Sequence, residues 1–130
     1  MNPESLLFAE SHEWVHVDES GDDKIATVGI SQHAVEALTD LVYMELPEPG
    51  ATVTAGEPFG EVESVKATTE IYSPVDGEVI EANTGLPDNL DVMSTDPYGE
   101  GWLIKVKLSS DDALGKLMDY EAYEKMCAED

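Results

Sequence analysis

Turn signals built on glycine and proline cut this chain into short β-like runs, a pattern that points to a sheet protein. Trp14 to Val17 alternates apolar and polar residues, Glu19 to Asp23 reads as a loop, and Ile25 to Ile30 is a β-branched return strand. Leu41 to Leu46 is a further strand, closed by Pro47-Glu-Pro-Gly50. Ala55-Gly-Glu-Pro58 precedes strands at Phe59 to Glu63 and Thr68 to Tyr72. Ser73-Pro-Val-Asp-Gly77 reads as a turn before a half-exposed strand at Glu78 to Asn83. In that turn Gly77 is expected to adopt positive φ. A loop from Thr84 to Gly101 leads to a strand at Trp102 to Leu108.

Helical signals are confined to two places. Ser31 is a suitable N-cap for two turns whose apolar stripe is Ala34, Val35 and Leu38. After Ser109 or Ser110 as a second cap, Leu114, Leu117, Met118, Tyr120, Tyr123 and Met126 suggest a C-terminal helical segment over about 110–127. No low-complexity tract divides the 130 residues, so the expectation is one domain over 1–130. A chain of this length can bury roughly two-thirds of its unfolded surface, enough for one core. The expected fold class is mainly β: a flattened barrel-sandwich with a short internal helix and C-terminal helices.

Charge narrows the function. Six Lys, no Arg and 29 acidic residues leave a formal charge of −23. Phosphate binding needs clustered cations, so nucleic acids and anionic membrane surfaces are excluded as partners. No apolar run approaches the roughly 18 residues that a membrane helix needs, and the start has no signal-peptide pattern, so a cytoplasmic location is expected. Such a charge favours a soluble monomer and partners with basic surfaces. The single cysteine, Cys127, offers no internal disulfide, which suits a reducing compartment. His12, His16 and Cys127 lack the spacing of a ligand set, so no metal site is expected. Trp14 and Trp102 are expected as core anchors.

Lys66 is the only lysine between Lys24 and Lys105, and it falls at the tip of the hairpin formed by the strands around Glu63 and Thr68. Small and β-branched neighbours stiffen that tip. Residue type and position allow two readings: a solvated charge, or an amine held clear of the sheet for a modifying enzyme.

The stretch Glu63-Ser-Val-Lys-Ala67, followed by Ser73-Pro-Val-Asp-Gly-Glu-Val79, closely resembles the lipoylation site of glycine cleavage system H proteins. Ser11-His-Glu-Trp14, Val28-Gly-Ile-Ser-Gln-His-Ala34, Glu45-Leu-Pro-Glu-Pro-Gly50 and Asp96-Pro-Tyr-Gly-Glu-Gly-Trp102 agree with that family in order and spacing. The resemblance runs from about Leu7 to Tyr123. It implies a lipoyl/biotinyl-type fold and a non-catalytic carrier whose Lys66 holds lipoic acid in amide linkage, on an arm reaching on the order of 14 Å. It implies that the carrier takes the aminomethyl group of glycine from a pyridoxal-phosphate glycine decarboxylase, the P protein, to a tetrahydrofolate-dependent aminomethyltransferase, the T protein. Dihydrolipoamide dehydrogenase, the L protein, then reoxidises the arm. Glu13, His33 and Glu70 match positions lining the family's arm cleft, and Glu63 matches the acidic residue read by lipoylating enzymes. Two departures stand out: Glu70 occupies a position where Asp is usual, and Leu90-Asp-Val-Met-Ser94 replaces a Pro-Glu-Leu-Val-Asn-like loop.

Other classes fit less well. Lipoyl domains of 2-oxoacid dehydrogenases and biotin carriers usually show Asp-Lys-Ala or Met-Lys-Met at the tip, where this chain has Val65-Lys66-Ala67. An H-like lipoyl relay serving another pathway would share the same tip. A serine enzyme built on Ser64 or Ser73 with His33 has no Gly-x-Ser-x-Gly elbow to support it. A purely structural acidic adaptor would not need Lys66.

Overall fold

A computed structural model describes residues 6–10, 12–18, 24–38, 41–65, 67–86, 89–96, 98–110, 115 and 117–129. Nine strands and three helices follow one another: β1 (Leu7–Phe8), β2 (Glu13–Asp18), β3 (Ile25–Ile30), α1 (Gln32–Leu38), β4 (Leu41–Glu45), β5 (Thr52–Val53), β6 (Pro58–Ser64), β7 (Thr68–Tyr72), β8 (Asp76–Ala82), α2 (Asp91–Thr95), β9 (Ile104–Ser110) and α3 (Tyr120–Glu129) among the described residues. They form a six-stranded sheet ordered β1-β2-β3-β9-β8-β5 and a three-stranded sheet ordered β4-β6-β7. Every pairing is antiparallel, and the two sheets face each other as an open sandwich rather than a closed barrel.

Alternation in the strands explains the layering. Ile104 and Val106 on β9, Gly77 and Val79 on β8, and Val62 and Ser64 on β6 turn inward, while the residues between them are more exposed. With Val15, Ala26, Val28, Ile30, Met44, Val53, Ile71 and Val75 they build one apolar core fed from both sheets. Each fully buried aliphatic side chain of that kind contributes about 1.5–3 kcal/mol. A second core lies against the other end of the large sheet, where Leu6, Phe8, Trp14 and Tyr123 meet. The backbone of Phe8 exchanges two hydrogen bonds with that of Met118, at 2.7 and 2.8 Å, so the first strand is tied to the segment leading into α3. Trp14 is fully buried, as expected of an anchor, and it sits opposite Gly29, whose missing side chain makes room for the indole: a Cβ there would lie 2.4 Å from the ring. Trp102 is only half-buried, with the Lys105 ammonium 5.2 Å from its ring centre.

Several expectations need revision. Gly77 is not a positive-φ turn residue; it lies within β8, opposite Leu108 and Val53. A Cβ there would come 2.2 Å from the Lys107 carbonyl oxygen and 2.7 Å from Val106 Cγ1, so crowding by β9 is what demands glycine. Gly77→Ala should therefore cost about 1–3 kcal/mol by overpacking, read as a lower urea midpoint. Gly85→Ala, where a Cβ meets nothing within 4 Å, should shift it little. The C-terminal helix does not begin after Ser109 or Ser110, because β9 continues through both. It starts at Tyr120, capped by Asp119, whose side chain accepts from the Ala122 N–H at 2.8 Å. The stretch from Thr84 to Gly101 contains α2, which no side chain caps and which is held in place by fully buried Met93. The Glu19–Asp23 loop, Leu114 and the Leu38 side chain lie outside the described residues.

Candidate functional site

The β6–β7 hairpin is closed by its own backbone. Glu63 stands opposite Thr68, and the Ser64 N–H donates to the Ala67 carbonyl at 2.8 Å. The Ser64 hydroxyl lies within hydrogen-bonding range of both polar groups of Ala67, accepting from its N–H at 3.1 Å and donating to its carbonyl at 3.3 Å. Ser64 itself is buried, so the turn is anchored in the sheet, whereas Val65 is 61% exposed and Ala67 is exposed. Only Val65 and Lys66 separate the two closing residues in the chain, and Lys66 lies outside the described residues. Glu63 is half-buried in the central strand of its sheet, between Tyr43 and Thr68. Glu70 is exposed on β7, and its carboxylate accepts from the Tyr72 hydroxyl at 3.4 Å.

Glu13 and His33 belong to a different corner, where β1, β2, α1 and α3 converge. Ser31 organises it. Fully buried, Ser31 caps α1 as expected: its hydroxyl accepts from the Ala34 N–H at 3.3 Å and its carbonyl from the Val35 N–H at 3.1 Å. The same hydroxyl is hydrogen-bonded to the Tyr123 hydroxyl, which also meets His12 Nδ1 at 2.6 Å. His12 has a φ of 77°, uncommon for a residue with a side chain. Its N–H donates to the Ala9 carbonyl and its carbonyl accepts from the Ser31 N–H, each at 2.9 Å, so the backbone is pinned on both sides. Glu13, next along, is 3% exposed and pairs with Ile30 across β2 and β3. His33 is exposed on α1, and its ring lies 5.2 Å from that of His12.

Aromatic packing surrounds this corner. Phe8 stacks on Tyr123 with ring centres 4.4 Å apart, and Tyr98 meets Phe8 edge-on while its hydroxyl accepts from the Gln32 N–H at 3.1 Å. Burial pushes the Tyr123 hydroxyl pKa well above the usual phenol range; the Ser31 hydrogen bond opposes this shift and Cys127 adds to it. Burial also raises that of Tyr98. The fold thus places Glu13 on β2 of the large sheet and His33 on α1, which follows Glu13's cross-strand partner Ile30 in the chain, while Glu70 and Glu63 lie on the other sheet. Sequence reasoning missed Tyr123 and Cys127 as members of the corner. Their spacing of four on one helix was the available signal.

The family model of the glycine cleavage H-protein matches residues 6–130. The chain is 58% identical over 128 residues to a glycine cleavage system H protein of Rhodopirellula baltica, covering 98% of this chain and 96% of that one. It is 47% identical over 127 residues to the mitochondrial glycine cleavage system H protein of Pisum sativum, covering 98% of this chain and 74% of the relative. A crystal structure of a glycine cleavage system H protein from Mycobacterium marinum superposes with a TM-score of 0.88 at 38% identity, covering 98% and 99% of the two chains. With a closed hairpin framing position 66 and likeness along nearly its whole length, the chain belongs to the glycine cleavage H-protein family, the lipoyl carriers of the glycine cleavage system.

Proposed function

We propose that Lys66 carries lipoic acid, joined through an amide to its side-chain nitrogen. The observation that supports this most is the closure of the β6–β7 hairpin on Ser64 and Ala67, which leaves only Val65 and Lys66 between the closing residues, with exposed, uncharged Val65 and Ala67 on either side of position 66 in the chain. Such a hairpin suits the group: a base tied into the sheet, with exposed neighbours that an attaching enzyme can reach. Once attached, the group supplies a disulfide able to take up electrons together with a one-carbon amine.

The protein's own part is presentation. Glu63, next to the tip on the central strand, is the acidic residue that lipoylating enzymes read. Glu13 and His33 at the aromatic corner, together with Glu70 on β7, line the path of the arm. A carboxylate suits an ammonium through a charge-assisted hydrogen bond. Catalysis rests with the partners, which are the P, T and L proteins. A charge of −23 fits docking on basic partner surfaces, where the field speeds encounter. No helix among the described residues is long and apolar enough to cross a membrane, and a cytoplasmic carrier is consistent with that. Peptide mass mapping of the chain isolated from its own host should find a lipoyl increment confined to the peptide holding Lys66. A bare Lys66, with lipoylated proteins present in the same extract, would refute the assignment.

A further inference from the structure

The aromatic corner gathers three metal-ligating side chains from segments far apart in the chain. His12 precedes β2, His33 sits on α1 and Cys127 on α3. One ring nitrogen from each histidine and the Cys127 sulfur all lie within 4.8 Å of one another. Spacing along the sequence makes no ligand set of His12, His16 and Cys127, and the structure agrees on His16, which lies within β2 opposite Thr27; it is His33 that joins His12 and Cys127 in the cluster. We propose that His12, His33 and Cys127 form a binding site for a divalent transition-metal ion of the zinc type. The inference stands on these three side chains and does not depend on the lipoyl assignment.

Three features support the set. First, the donor types match the ion: two imidazoles and a thiolate suit Zn²⁺ and its neighbours, whereas calcium and magnesium take oxygen ligands. Second, the distances are within reach. Tetrahedral coordination at about 2.0–2.3 Å sets donor atoms about 3.5 Å apart, and His33, exposed on a short helix, has room to close the difference. Third, the supports are in place. The Tyr123 hydroxyl holds His12 Nδ1 and is itself held by Ser31, the arrangement by which outer groups orient metal-bound histidines. Tyr123 also stands one helical turn before Cys127, so the same residue that fixes His12 fixes the base of the third ligand. Binding turns the Cys127 thiol into a thiolate and releases its proton to solvent. Three protein ligands leave a coordination position open, as in metal sites that exchange a ligand rather than serve structure alone.

The test uses the full chain, reduced, stripped of metal with a chelator and titrated with Co²⁺ under exclusion of oxygen. Near-ultraviolet sulfur-to-cobalt charge transfer and four-coordinate visible bands are expected to saturate at one equivalent and to be displaced by Zn²⁺. Cys127→Ser should remove the charge-transfer band. His33→Ala, at an exposed position that leaves the fold intact by circular dichroism, should weaken Co²⁺ binding at least about tenfold. A wild-type titration showing only the weak bands of oxygen-bound cobalt would overturn the proposal, since the 29 acidic residues alone could produce that. So would a charge-transfer band whose strength and midpoint are the same in His33→Ala.

Discussion

Replacing Lys66 with arginine is expected to reduce glycine-dependent CO₂ exchange to background in a system reconstituted with the partner enzymes. Arginine keeps the positive charge and a long aliphatic stem, but its guanidinium cannot form the amide that holds the cofactor. The loss should be complete rather than graded, because a carrier without its arm has nothing to carry. The fold should survive. The hairpin closes through Ser64 and Ala67, neither of which uses the side chain at position 66. A substitution that removes none of the hairpin's closing hydrogen bonds shifts stability by no more than about 0.5 kcal/mol, so the urea midpoint should match that of the wild type. Exchange activity persisting in Lys66→Arg would refute Lys66 as the attachment site, and a lowered midpoint would show that position 66 also supports the turn.

The largest stability effect is expected at Tyr123. Its ring is 2% exposed and stacked on Phe8, and its hydroxyl joins Ser31 to His12. Tyr123→Ala should cost about 3–5 kcal/mol from lost burial and the cavity left behind. Against a typical total of about 5–15 kcal/mol, that is enough to leave a measurable unfolded fraction at moderate temperature. Tyr123→Phe separates the hydroxyl from the ring. It removes the hydroxyl's hydrogen bonds to Ser31 and His12, while Ser31 keeps its bond from the Ala34 N–H, so the expected cost is about 0.5–1.5 kcal/mol for each bond lost. Alkaline pH adds an independent readout. Burial raises the Tyr123 pKa in the folded protein, while the unfolded phenol ionises near its usual value of about 10. The contribution is therefore complete below about pH 10 and declines above it, because the unfolded chain releases a proton that the folded one retains. Urea midpoints followed into the alkaline range should fall less steeply for Tyr123→Phe than for the wild type. Equal slopes would mean that Tyr123 ionises alike in both states.

Much of this structure is written locally. Ser31 caps α1 as its residue type suggests, and the β-branched run at Ile25 to Ile30 and the run from Thr68 to Tyr72 mark strands at the positions observed. The hairpin closed by Ser64 and Ala67 follows from two β-rich runs separated by a short break. What escaped is what local patterns cannot encode. The strands Leu7–Phe8 and Thr52–Val53 are two residues long, too short for any periodicity to register, and exist because neighbouring strands receive them. Ser109 and Ser110 have the chemistry of a helix cap, but pairing opposite β8 extends β9 through them, and Asp119 takes the capping role. Gly77 looked like a turn glycine because it follows Ser-Pro-Val-Asp; only the approach of the Lys107 carbonyl reveals its function. Among the site residues, Glu13 lies on β2 of the large sheet and His33 on α1, whereas Glu70 belongs to the three-stranded sheet, a separation in space that no sequence spacing shows. Cys127 and His12 are 115 positions apart, and no spacing rule relates them.

The double hydrogen bond between Phe8 and Met118, and the clasp of Tyr123 on Ser31 and His12, set the order of events as the chain is made. On the ribosome the strands of both sheets emerge before α3 does. The β6–β7 hairpin needs contacts only a few residues apart, so it can form early in synthesis. The corner containing His12, Ser31 and His33 must wait for the final helix, since its roof is supplied by Tyr123. A nascent chain halted before that helix would therefore hold a closed β6–β7 hairpin and an unclosed aromatic corner, and a protease given access at that moment should cut near Phe8 and Trp14 rather than at the hairpin.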